Sequence, residues 1–335
     1  MARQRPPSLF IDPPLVNSAN PWATTLEDLT ALYNCPHTGA VTTRTSLLQP
    51  FDHDPARHQF TLFNTANHQS EQDRTRSTGA ENASLNTLGY SPLSLETYLG
   101  FIQDIATTSP AVRADKGFIV SVTGSPADVA ACYKLIAAAQ LTLPFPLAME
   151  INLSCPNIPG KPPPAYNTDA LLEYLMALQA DGIDEHLPRI PCGLKTPPYT
   201  QAGDYDGLLG ALQASTPKNG VCPISFITAT NTLGSCLVLS DAETGESALP
   251  GFGTGGMAGA PLHPLALGNV KIIRMRLDRD EVKDALGHIQ IIGVGGVLDA
   301  SGYKRMKAVG AAFVGVGTGL GISGLGIFES IANGF

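Results

Sequence analysis

Eight short apolar segments, each followed by helix-patterned sequence, leave this chain few folds to choose from. They are Gly39–Thr43, Ser84–Gly89, Phe118–Thr123, Ala148–Ser154, Cys192–Thr196, Phe226–Thr232, Gln290–Gly295 and Ala312–Gly317. Several are near-continuous apolar runs, the pattern of parallel strands covered by helices. The helices between them have legible ends. Ser125-Pro126 reads as an N-cap followed by proline at the first helical position, and Val129, Cys132, Tyr133 and Ile136 fall on one stripe. A second helix is expected from about Thr168, burying Leu171, Leu172, Leu175 and Met176 and stopping near Gly182. Eightfold alternation argues for an α/β fold, the (β/α)8 TIM barrel, with its active site at the C-terminal ends of an eight-stranded parallel barrel. An open doubly wound sheet is the alternative, because strand order is not visible in one sequence.

The 335 residues suit one barrel domain over 1–335. One tract does not fit it. Asn64–Ala83 holds no apolar residue larger than alanine, and is read as a polar, mobile surface insertion. A formal net charge of −8 argues against nucleic acid as a partner. No run of about 18 apolar residues is present, which argues against a membrane span. The opening MARQRPPSLFIDPP lacks the apolar core of a secretory signal, so a cytoplasmic location is expected, with the six cysteines as reduced thiols. No Cys-x-x-Cys or His/Cys cluster suggests a metal site.

Polar residues gather where the strands should end. The ends read Thr43-Arg44-Thr45-Ser46, Asn86-Thr87-Leu88-Gly89, Asn152-Leu153-Ser154-Cys155-Pro156-Asn157, Lys195-Thr196 and Asn231-Thr232. Amides and hydroxyls from several strands would make a pocket for a flat ligand edged with carbonyl and N–H groups. The last two strands end in Gly293-Val294-Gly295-Gly296 and Gly317-Thr318-Gly319, with a helix start expected behind each. Such turns let backbone amides approach an anion, at the usual phosphate site of this barrel. Cys155 precedes a Gly/Pro-rich loop, at the mouth of the pocket. No histidine stands at a strand end to pair with it, so proton abstraction suits it better than nucleophilic attack. Lys195 lies on a buried strand and should point its ammonium at an anionic centre.

At these residues the chain resembles the class 1 dihydroorotate dehydrogenases, and within them the cytosolic, fumarate-linked 1A type. The resemblance runs from Asn17 to about Ile331. Its most specific piece is EINLSCPNIPGKPPPAY at Glu150–Tyr166; GLKTPPY, ATNTLG, GFG, ALGNV, IIGVGGV and GVGTGL follow in family order. It implies an FMN flavoprotein oxidising dihydroorotate to orotate in pyrimidine biosynthesis. Cys155 would take the C5 proton while hydride leaves C6 for FMN. Lys195 would stand beside the flavin and stabilise negative charge there. Arg44 takes the place of a family lysine. Substrate would meet Arg44, Asn86, Leu88, Gly89, Asn152, Asn157, Asn231 and Thr232. FMN would meet Ser18, Ala19, Arg44, Thr45, Asn152, Lys195, Thr230, Gly256, Gly295, Gly296, Gly317 and Thr318. Fumarate or a similar soluble acceptor would reoxidise the flavin, in a homodimer. A related FMN enzyme acting on another flat cyclic substrate, or a non-catalytic ligand-binding paralogue, are the other readings.

Overall fold

The computed structural model describes residues 5–334 apart from 69, 71–76, 110, 156–162, 183 and 219. Eight parallel strands close into a barrel. In chain order they are β1 (Leu15–Asn17), β2 (Ala40–Thr42), β3 (Gly117–Val122), β4 (Leu147–Asn152), β5 (Cys192–Thr196), β6 (Phe226–Ala229), β7 (Gln290–Val294) and β8 (Phe313–Val316). Each pairs with its neighbours in sequence, and β1 closes on β8 through Val16 opposite Gly315. The barrel is therefore the TIM barrel expected, and not the open sheet.

Two strand assignments change. Leu15–Asn17 is the first barrel strand, and Ala83–Asn86 is not in the barrel at all. Three residues behind Pro13-Pro14 are too few to show a period. Ala83–Asn86 pairs antiparallel with Phe60–Phe63 on one side and Thr254–Gly259 on the other, and Leu233–Leu237 completes a separate four-stranded sheet. Its sequence, Ala-Ser-Leu-Asn, alternates apolar and polar as a half-buried antiparallel strand should. Ala83 and Leu85 pack into a small core with Phe63, Val238 and Leu249. Ser84 and Asn86 are thereby turned towards the barrel mouth.

Alternation also sorts the barrel core. Phe118, Val120, Leu147 and Met149 point outward into the large layer under the helices. Ile119, Ala148, Phe226 and Ile292 point inward and close the barrel floor with Leu9 and Ile11. Gly193 makes room for this plug, since a Cβ there would sit 2.4 Å from the Phe226 ring. The helix over Pro126–Ala139 starts as read: Ser125 Oγ accepts from the Asp128 amide, the Asp128 carboxylate accepts from the Ser125 amide, and all four stripe residues are buried. The helix over Thr168–Ala177 buries Leu171 and Leu175, and Leu178 continues the stripe. Met176, expected inside, is half exposed, because the stripe advances by four and three residues and passes it by. Among the described residues no helix is long and apolar enough to cross a membrane.

The described ends of the polar tract clasp each other. Asn64 Nδ2 donates to the Ala80 carbonyl, and Asn82 bonds both the amide and the hydroxyl of Thr65. Glu81 is 6% exposed. Burial works against its charge, but donors from Ser77, Thr78 and Gly79 outweigh it and hold the carboxyl at about 2, against an ordinary 4.5. A depressed carboxyl stabilises the fold above its unfolded value and stops doing so as pH falls through the folded one. Glu81→Gln should therefore cost about 1.5–3 kcal/mol at neutral pH. In thermal melts its deficit should shrink from about pH 5 to about pH 3. A deficit that stays constant over that range would contradict the assignment.

Candidate active site

The C-terminal ends of the strands and the inner face of the four-stranded sheet border a cavity of about 140 Å³. Its wall follows the order of the barrel. Ser18 and Ala19 come from the end of β1, Arg44 and Thr45 from that of β2, Asn152 and Cys155 from β4, and Lys195 from β5. Thr230, Asn231 and Thr232 follow β6, Gly295 and Gly296 follow β7, and Gly317 and Thr318 follow β8. Asn86, Leu88 and Gly89 reach in from the sheet. Asn157 lies outside the described residues. Gly256 stands behind the wall: its carbonyl accepts from Asn86 Nδ2 at 3.0 Å, and a Cβ there would meet Thr232 Oγ1 at 2.1 Å. Ala258 and Gly259 line the cavity in its stead.

The amides of the floor are tied to one another. Asn152 Nδ2 donates to Thr45 Oγ1 at 2.9 Å, while its Oδ1 accepts from Ser154 Oγ at 2.9 Å and from Asn231 Nδ2 at 3.3 Å. Asn231 Nδ2 also donates to Ser154 Oγ, and Asn231 Oδ1 accepts from the Thr232 amide. Asn152, 5% exposed, thus holds its neighbours as much as it faces the cavity.

Two cations stand beside this floor, Lys195 buried and Arg44 half-buried. Lys195 is 4% exposed and forms no hydrogen bond or ion pair with a described residue. Arg44 Nη2 donates to the Tyr90 carbonyl at 3.2 Å, and no described carboxylate pairs with the guanidinium. Burial pulls Arg44 below the usual guanidinium range, and the charges of Tyr98 and Cys155 work the other way. Tyr90 is held as a neutral phenol, pushed up by burial and by charge at Cys155. The buried Thr230 hydroxyl has no hydrogen-bond partner among the described residues. Buried polar groups seldom stay unmatched, so these three point to a polar, anionic occupant.

The glycine turn after β7 is built for close approach. Gly295 and Gly296 have φ of +136° and +66°, and a Cβ at Gly296 would lie 2.5 Å from the Gly259 carbonyl. His263 pins the turn. Its Nε2 accepts from Arg305 Nε at 3.0 Å, so its Nδ1 donates to the Gly295 carbonyl at 2.7 Å. The expected helix start is found directly behind the β8 turn, where a six-residue helix runs from Thr318 to Ser323 with Gly317 at its N-cap. It is not found behind the β7 turn, where the helix begins only at Ala300 and Asp299 already caps it. An anion at the β7 turn would rest on the glycine backbone rather than on a helix end.

Other wall residues were not read from sequence. Trp22 and Phe60 meet edge to face at 5.3 Å. Phe60 sits on a strand with no sequence signal of its own, whereas Trp22 is the only tryptophan and could have drawn attention. Ser84 Oγ bonds Thr318 Oγ1 at 2.9 Å, coupling the extra sheet to the last turn.

Comparison with known proteins bears on family and fold. Residues 59–335 match the family model for dihydroorotate dehydrogenase. A Streptococcus pyogenes serotype M3 protein named dihydroorotate dehydrogenase A (fumarate) is 32% identical over 252 residues, 74% of this chain and 70% of the relative. A namesake from Streptococcus equi subsp. equi is 30% identical over 321 residues, covering 95% and 86%. In fold, the chain is similar to a ligand-free DHODH from Eimeria tenella, with a TM-score of 0.70 at 17% identity over 99% of this chain and 88% of that one. If the β7 turn cradles a phosphate, Gly296→Asp should set a carboxylate against it and strain a residue at φ +66°. Flavin content after purification should fall sharply. A folded variant that keeps its full flavin would remove the phosphate from this turn.

Proposed function

The chain belongs to the dihydroorotate dehydrogenase family, and on that premise we propose that it oxidises (S)-dihydroorotate to orotate with FMN held in the cavity. Fumarate or a similar soluble acceptor then takes the electrons. The observation that supports this reading most is the meeting, in one cavity, of a thiol and two cations, Lys195 and Arg44, that have no described carboxylate partner. Dihydroorotate is a flat cyclic amide with a carboxylate. FMN adds an anionic phosphate and a ring edged with carbonyls.

The residues present fit that cofactor. The glycine turns at Gly295-Gly296 and Gly317-Thr318 would take the phosphate, and Ser18, Ala19, Thr45, Lys195 and Thr230 would border the ring. Bound FMN supplies the acceptor for the hydride from C6. Cys155 removes the proton from C5, so that the two C–H bonds give way to one C5=C6 double bond. The positive charge of Arg44 interacts favourably with a thiolate at Cys155, and its guanidinium is also placed to receive the substrate carboxylate. Asn86, Asn231 and Thr232, with the backbone of Leu88-Gly89, orient the ring. Tyr90 and the Trp22–Phe60 pair keep bulk water from the floor. The working form is proposed to be a cytoplasmic homodimer. Phe252, 98% exposed, and Leu237, half exposed, lie together at the outer end of the four-stranded sheet and would meet the partner there.

Stopped-flow bleaching of the flavin by anaerobic dihydroorotate tests the reaction. Reduction should quicken as pH rises and Cys155 ionises. Cys155→Ala should keep its flavin and still bind orotate, yet reduce the flavin at least about a hundredfold more slowly. Cys155→Ser should keep some activity, shifted to higher pH. Wild-type bleaching by Cys155→Ala would mean that the proton leaves by another route.

A further inference from the structure

We infer that Glu150, a buried carboxylate that does not line the cavity, reinforces the orientation of the floor amides through a one-directional hydrogen-bond chain, alongside the backbone N–H groups of Ser154 and Thr232. The argument starts from the inward face of the barrel. Above the apolar plug comes a polar layer: Ser121 on β3, Glu150 on β4 and Thr228 on β6, all nearly inaccessible to solvent. Both oxygens of Glu150 accept, Oε1 from Ser121 Oγ at 2.9 Å and Oε2 from Thr228 Oγ1 at 2.7 Å.

A carboxylate can only accept, and a hydroxyl has one proton to give. With its proton directed at Glu150, Ser121 can meet Thr45 only as an acceptor. Thr45 Oγ1, 2.9 Å away, must then donate to Ser121. Its own proton now committed, Thr45 accepts from Asn152 Nδ2. That leaves one way round for the Asn152 amide. The nitrogen faces Thr45, and Oδ1 faces the hydroxyl of Ser154 and the amide of Asn231. Asn231 in turn presents its nitrogen to Asn152 and Ser154, with its oxygen on the Thr232 backbone. Each donor thus points back towards Glu150. A neutral, apolar residue at 150 would take away the acceptor that commits the Ser121 proton, and would leave the two amides held only by the backbone N–H groups of Ser154 and Thr232. Glu150 acts in this way as a positioning residue.

The inference rests on the reading of the cavity as an orotate site. Its test compares two hydroxyls that bond the same carboxylate. Ser121→Ala cuts the chain outside the cavity, whereas Thr228→Val removes a bond that leads nowhere near the floor amides. Orotate is titrated against the flavin absorbance of each holoenzyme, and thermal stability is measured alongside. Ser121→Ala should weaken orotate binding roughly tenfold, and Thr228→Val should stay within about twofold while losing comparable stability. Glu150→Met should match Ser121→Ala, and the double variant should fall no further than either single. If Glu150→Met does not fold, the two hydroxyl variants still decide. Equal stability losses with wild-type orotate affinity in both would overturn the positioning role. Failure of the wild type itself to bind orotate would instead overturn the substrate reading. The same comparison would then be made on FMN dissociation, where equal rates in the two variants would again overturn the role of Glu150.

Discussion

A strand in a closed barrel can turn only every second side chain inward, and the chemistry of this protein hangs on that alternation. On β4 it sends Ala148 into the floor plug, Glu150 into the polar layer above it and Asn152 up to the cavity. On β6 the same step takes Phe226, Thr228 and then Thr230 through the same three levels. Lys195 on β5 lies opposite both Asn152 and Thr228 in the parallel register. A one-residue slip of any of these strands would exchange a core side chain for a polar one at every level. The register that seals the barrel is therefore the register that assembles the site.

Much of this was legible because it is written in local pattern. Apolar runs marked seven of the eight barrel strands, and the expected residues at their ends meet at one cavity wall, with Gly256 behind it and Asn157 outside the described part. What escaped was long-range. Leu15–Asn17 is a barrel strand only because β8 and β2 flank it; three residues cannot announce that. Ser84–Gly89 reads as a barrel strand in sequence, although the alternation of the observed strand Ala83–Asn86 is that of a half-buried antiparallel one. Its partners lie over twenty residues before it and some 170 after it, and no local pattern links them. For the same reason Phe60 and His263 went unread. Each serves the site through a neighbour remote in sequence.

The extra sheet changes what the barrel can hold. A bare barrel mouth is open to water. Here Ser84 and Asn86 face the last glycine turn and the β6 loop, and Ser84 is tied to Thr318. The sheet thereby roofs the β8 side of the cavity while its own small core faces away. Enclosure strengthens every charge inside, because fewer water dipoles remain to screen it. Arg44 and Lys195 gain most from this, since neither has a described carboxylate to answer it.

The two buried lysines show how differently this chain treats an ammonium. Lys116 is wholly buried just before β3, at the opposite end of the barrel from the cavity. It has three acceptors: the carbonyls of Leu32 and Cys35 at 3.0 and 2.6 Å and Thr38 Oγ1 at 2.8 Å. The Tyr33 ring lies beside it as well. Even so, desolvation draws it down to about 8. Its bonds close the C-terminal end of the helix over Leu26–Asn34, so its function is complete within the fold. Lys195 is almost as deeply buried and has none of these acceptors. A buried charge without partners is costly, and the sequence shows at Lys116 that carbonyls and a hydroxyl suffice to meet that cost. At Lys195 no described residue supplies either, and the side chain lines the cavity. The difference between the two lysines is the difference between a residue bonded within the fold and one that borders open space.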